Sequence, residues 1–160
     1  MNFFSLPADF KKETIDAYCK LNDEYKDARV IETYGNITIG NSLESGRSVD
    51  LLPPVDLNHL RDYVRRSREK NIDFSYTMNA SHMHSKEFTR KGMLEILSFL
   101  NDIYEAGVRS LTVSLPSLMQ VIQRMKKDFR MKASVICQVT TANKALFYKD
   151  MGMERIVVDE

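Results

Sequence analysis

A chain of 160 residues, 43% hydrophobic and 28% charged, has the composition of an ordinary globular protein, which excludes wholesale disorder. A domain of that size buries roughly 70% of the surface its unfolded chain exposes. The net charge of +1 supplies no global field for nucleic acid or an anionic membrane.

Two cysteines, Cys19 and Cys137, are too few for a disulfide framework, and their separation matches no metal-finger spacing. They read as buried thiols of a reducing compartment. The opening residues Met1 to Pro7 have no basic head and no sustained apolar run, so they are not a secretory signal. No stretch reaches the roughly eighteen apolar residues that span a bilayer. The expected location is the cytoplasm, with no membrane partner.

In chain order, Asp9 is placed to cap a helix running to about Tyr25, since Phe10, Ile15, Tyr18, Leu21 and Tyr25 recur at helical intervals. Arg29 to Tyr34 is a β-prone run ended by Gly35. Gly35 to Pro54 reads as a loop punctuated by Gly40, Gly46 and the Pro53-Pro54 pair. Loops of this length in compact domains are usually functional or mobile. Asp56 then caps a helix carrying Leu57, Leu60 and Val64 on one face, and a strand from Ile72 to Asn79 follows. Met93, Ile96, Leu97, Leu100 and Ile103 mark an amphipathic helix that ends near Gly107. Val108 to Leu115 is a strand, Leu118 to Met125 a helix, Met131 to Thr140 a strand, and Thr141 to Met151 a helix stopped at Gly152. Arg155 to Asp159 begins a fifth strand.

Alternating strands and helices at this spacing call for a parallel sheet with right-handed crossovers. The strands themselves alternate: Phe74, Tyr76 and Met78 oppose Asp73, Ser75, Thr77 and Asn79, while Leu111 and Val113 oppose Ser110, Thr112 and Ser114. Met131, Ala133, Val135, Cys137 and Val139 oppose Lys132, Ser134, Gln138 and Thr140. A doubly wound sheet would be apolar on both faces. The pattern instead predicts helices on one face and a polar lumen on the other, the alternative being a sheet with one solvated face. The predicted fold is α/β: a parallel (β/α) half-barrel like the first five strands of a TIM-type barrel, with an N-terminal helix, residues 1–160 forming one incomplete domain.

Several segments carry a resemblance. Asp73 to Ala80, Glu87-Phe88-Thr89, Glu105 to Val108, Leu111 to Leu118, Ala133 to Asn143 and Gly152 to Glu160 together resemble the N-terminal barrel of the collagenase-like peptidase family U32. The match is distributed over most of the chain from about Ala28 onward. It implies a barrel enzyme of the peptidase type, or an oxygen-independent hydroxylase of RNA bases or ubiquinone precursors. The hydroxylating relatives hold an iron–sulfur cluster through four cysteines. This sequence has two, too few for a four-thiolate cluster, so the cofactor stays unassigned.

Barrels of this type place chemistry at the C-terminal strand ends. That selects Tyr34, Asn79, Ser114, Gln138, Thr140, Asp159 and Glu160. Glu160 is the leading acid/base residue, since resemblance and geometry agree on it; the competing reading is a solvated terminal carboxylate. Glu32 within the first predicted strand needs a cationic partner if it points inward, and Arg47 or Lys132 can supply one. The alternative is an exposed edge-strand glutamate. Arg47, beside Gly46, suits capture of a carboxylate or phosphate, or else is a solvated loop residue. Asn79, Asp159, Glu160 and Glu32 are the catalytic candidates; Tyr34, Arg47, Ser114, Gln138 and Thr140 are the substrate-binding ones.

His82-x-His84 lacks a third ligand and assigns no metal. No G-x-S-x-G elbow frames Ser114, Ser117 or Ser134. The basic stretches Arg61 to Lys70, net +3, and Arg124 to Lys132, net +4, lack interleaved aromatics and read as outer helix faces rather than an RNA surface. Two functional readings compete. One is the N-terminal portion of an enzyme acting on a small molecule or peptide. The other is a non-catalytic subunit that pairs half-barrels in a homo- or hetero-oligomer, because a bare last strand requires a partner.

Overall fold

Period-2 alternation and helix capping together dictate the architecture seen in the computed structural model, which describes residues 1–43, 45–46 and 52–159. Six parallel strands run in sequence order: β1 (Asn2–Pro7), β2 (Ala28–Gly35), β3 (Asp73–Met78), β4 (Ser110–Val113), β5 (Arg130–Ala133) and β6 (Arg155–Ile156). Helices α1 (Lys12–Glu24), α2 (Leu57–Glu69), α3 (Arg90–Glu105), α4 (Pro116–Arg124) and α5 (Ala142–Asp150) form the crossovers. The result is an α/β half-barrel.

The helix starts are set by side chains. Asp56 accepts from the His59 amide, Thr89 from Gly92 and Thr141 from Lys144, each satisfying a donor that the first turn leaves free. α4 starts instead with Pro116, whose missing N–H costs nothing there. Asp9 does not cap α1. Its carboxylate accepts from the Lys11 amide and Thr14 Oγ1, organising the turn before a helix that starts at Lys12.

The core lies between helices and sheet. Leu60, Ile96, Leu100, Ile103 and Leu111 are fully buried, and the rings of Phe10, Tyr63 and Phe74 pack at centroid separations of 5.2 to 5.9 Å. Burial pushes the Tyr63 phenol up to about 12, and its hydroxyl donates to Thr33 Oγ1. Among the described residues, no helix is long and apolar enough to cross a membrane.

Three boundaries differ from expectation. The five expected strands are six, because Asn2–Pro7 pairs in parallel with β2. That strand is exposed at every position except the half-buried Leu6, so it shows no burial alternation and owes its conformation to its neighbour. The strand predicted over Met131 to Thr140 stops at Ala133. Ser134 Oγ accepts from the Ile136 amide and starts a short 3-10 helix, Val135–Cys137, which ends at Gln138 with φ 50°. The last strand covers only Arg155–Ile156, with an isolated bridge between Val139 and Val158 beyond it.

The polar face of the sheet does point inward. Ser75 and Thr112 hydroxyls meet at 2.8 Å, and Ser110 donates to Asp73. From β5 and β6, Lys132 and Arg155 reach the Glu32 carboxylate on β2. In a flat sheet β2 and β5 would lie roughly 14 Å apart with parallel side chains, so these contacts require a strong curl.

Leu100→Ala opens a void among fully buried neighbours and should cost about 2–5 kcal/mol in urea unfolding. A loss below about 1 kcal/mol would contradict the packing described.

Candidate functional site

At the C-terminal ends of the strands lies a cavity of about 420 Å³. Polar groups from adjacent strands converge there: Tyr34 near the end of β2 and Asn36 just after it, Thr77 on β3 and Asn79 just after it, Thr112 on β4, and Lys132 on β5 with Ser134 just after it. Pro7, Phe10, Leu52, Ile136 and Val157 form an apolar wall opposite them. A concave, largely apolar space with a few converging polar groups is the common form of a ligand site.

Asn79 organises the mouth. Its Oδ1 accepts from the Gly46 amide at 2.9 Å and its Nδ2 donates to Ser134 Oγ at 3.2 Å, so one side chain ties the loop after β2 to the turn after β5. A Cβ on Gly46 would lie 2.7 Å from Ile136 Cδ1, so a larger residue there would require the end of that side chain to shift. An amide nitrogen carries two donors, and one of those of Asn79 has no partner among the described residues.

The floor is ionic. Glu32, 2% exposed, is held by Lys132 Nζ, by Arg155 Nη1 at 3.3 Å and by Ser5 Oγ at 2.6 Å. Two cations against one carboxylate leave an excess positive charge beneath the cavity. Removing one partner of such a buried pair is far more damaging than removing both, since it strands an uncompensated charge. Beside it, Asp73 accepts from Arg130 at 2.7 Å.

The structure brings some of the sequence-predicted residues together and separates others. Tyr34 and Asn79 line the cavity, and Glu32 underlies it through Lys132. Ser114 is buried and donates to the Ala80 carbonyl, holding backbone rather than facing the cavity. Gln138 and Thr140 lie past the end of β5 and are exposed; the Gln138 carbonyl accepts from Lys144. Asp159 is exposed, its amide bonded to the Val139 carbonyl. Arg47 and Glu160 fall outside the described residues. Ser5, Thr77, Thr112, Lys132 and Ser134 belong to the site but were not singled out by strand-end reasoning. For the last four, the strand alternation was the available signal.

Cys137 is buried, with its thiol 3.6 Å from the carbonyls of Val113 and Ser114, and burial pushes that thiol up. Cys19 sits on α1 and is half-buried, so only one of the two thiols expected to be buried is so. Two thiols so placed do not fit a four-thiolate cluster. The rings of His82 and His84 touch at 4.4 Å, and no group of three metal-ligating side chains occurs among the described residues.

Comparison with known proteins follows the same geometry. A family model described as peptidase family U32 matches residues 53–159. The solved structure of the U32 peptidase Mk0906 aligns with 99% of the chain at a TM-score of 0.72 and 16% identity. That identity makes it a likeness of fold, and the chain spans 59% of that protein's length. No curated protein matches the chain.

Two outcomes follow. Glu32→Gln should destabilise the chain by about 3 kcal/mol or more, whereas pairing Glu32→Leu with Lys132→Met should cost less than the sum of the single changes. Additive losses in a urea double-mutant cycle would contradict the buried pair. The raised Cys137 thiol stabilises the fold below the ordinary thiol pKa, and that contribution falls as pH rises past it. Alkylation at pH 7 should therefore proceed at least about tenfold more slowly at Cys137 in the folded chain than in urea; equal rates would contradict its burial.

Proposed function

The chain belongs to peptidase family U32, and on that premise we propose that it is the N-terminal part of a barrel enzyme acting on a peptide or small molecule seated over its C-terminal strand ends. The observation that carries this reading is the cavity of about 420 Å³ in which side chains from β2 to β5 converge. Amide hydrolysis requires donors aimed at a developing oxyanion and a group that moves a proton. The Asn79 amide proton not bonded to Ser134 and the Lys132 ammonium protons not bonded to Glu32 suit the first role. Asp159 and Glu160 are the carboxylates proposed for the second, with Tyr34 and Arg47 orienting substrate. Ser114, Gln138 and Thr140 support the surrounding loops.

The half-barrel also calls for a partner. Among the described residues β1 pairs only with β2 and β6 only with β5, so each leaves one row of backbone groups open, and Phe3 and Phe4 stand exposed along β1. A further barrel half or a second subunit would complete the sheet. This feature supports the assembly reading independently of catalysis.

In the longest native form of the protein, Asn79→Ala and Lys132→Met should each lower kcat/KM on a susceptible peptide by about 10²-fold. Unchanged kinetics in both folded variants would refute the assigned site.

A further inference from the structure

A second concave space lies at the opposite, N-terminal end of the strands, where barrels of this type ordinarily carry stability rather than chemistry. It has a volume of about 340 Å³. Its apolar back is formed by Ile31, Val64 and Phe74, and three arginines from three separate elements line it: Arg68 in the last turn of α2, Arg109 before β4, and Arg130 at the start of β5. Asp73 is the one carboxylate among the described residues that line it.

The three guanidinium groups are held from one side. Arg68 Nη2 donates to the Gly107 carbonyl at 2.6 Å. Arg109 Nη1 donates to the carbonyls of Tyr104 and Val108, both at 2.8 Å, while its carbon sits 3.7 Å from the centre of the Tyr104 ring and its Nε faces Asp128 at 3.4 Å. Arg130 Nη2 donates to Asp73. These bonds fix the side chains and leave Arg68 Nη1, Arg109 Nη2 and Arg130 Nη1 without partners among the described residues. Carbonyls at and just past the end of α3 hold Arg68 and Arg109, and the Asp73 carboxylate holds Arg130. These contacts do not explain why three such forks converge on one cavity with a single opposing carboxylate.

We propose that this cavity binds a phosphate group carried by a small organic molecule. Guanidinium forks match the tetrahedral oxygens of phosphate, and side chains already clamped lose little further entropy on binding. Three cations against Asp73 and the neighbouring Asp128 leave a net positive site, which favours an anion. The volume exceeds that of bare phosphate, and the apolar back suits the organic portion. The proposal stands apart from the reading of the strand-end cavity and uses none of the residues that line it.

Titration calorimetry of the chain with adenosine 5′-monophosphate, inorganic phosphate and adenosine tests it. The monophosphate binds more tightly than phosphate, and adenosine does not bind. Arg68→Met and Arg130→Met each weaken the monophosphate by roughly tenfold or more. Arg61→Met, on α2 but outside the cavity, leaves affinity unchanged, and circular dichroism establishes that every variant is folded. Absence of monophosphate binding to the folded chain overturns the proposal, as does affinity indifferent to both cavity substitutions. Binding of an oligonucleotide but of neither phosphate probe also overturns it, in favour of an extended polyanion surface.

Discussion

A carboxylate on the second strand held by cations from the fifth and sixth is the constraint on which the rest of the structure depends. Glu32 is buried in the lumen and contacts Lys132, Arg155 and Ser5. Strands that are distant in the ladder can share one ion cluster only if the sheet curls. That curl turns the polar faces of β3, β4 and β5 toward one another, gathers their carboxyl ends around a cavity, and directs the apolar faces outward to the helices. The half-barrel shape and the strand-end cavity are thus two consequences of one curvature.

The molecule has two concave ends of different character. At the carboxyl ends, a mostly apolar cavity is bordered by amide, hydroxyl and ammonium groups, with Asn79 joining two loops. At the amino ends, arginines held by backbone carbonyls and by Asp73 surround a smaller space. Family membership directs attention to the first end. The second gathers arginines from the last turn of α2, from the residue before β4 and from the start of β5.

Much of the fold was legible because it rests on local periodicity. Phe74, Tyr76 and Met78 against Ser75 and Thr77 announce a two-faced strand, and Asp56, Thr89 and Thr141 sit where helices begin. β1 was not legible, since Asn2–Pro7 has no burial period and is defined by pairing with β2. The end of β5 was hidden because Val135, Cys137 and Val139 continue the apolar alternation, while Ser134 and Gln138 turn the backbone out of the sheet. At the site, Tyr34 and Asn79 followed from strand ends, and Lys132 was anticipated as a partner for Glu32. The link from Gly46 through Asn79 to Ser134 depends on how closely two loops approach, a tertiary quantity that spacing along the chain does not encode.

Nuclear magnetic resonance of the Lys132 ammonium group addresses the curl most directly. A through-space contact between Lys132 Nζ protons and the Glu32 side chain, lost on replacing Glu32 with alanine, is the expected result. A folded chain without that contact would mean strands spread at ladder spacing, with no shared lumen and no common site at their ends.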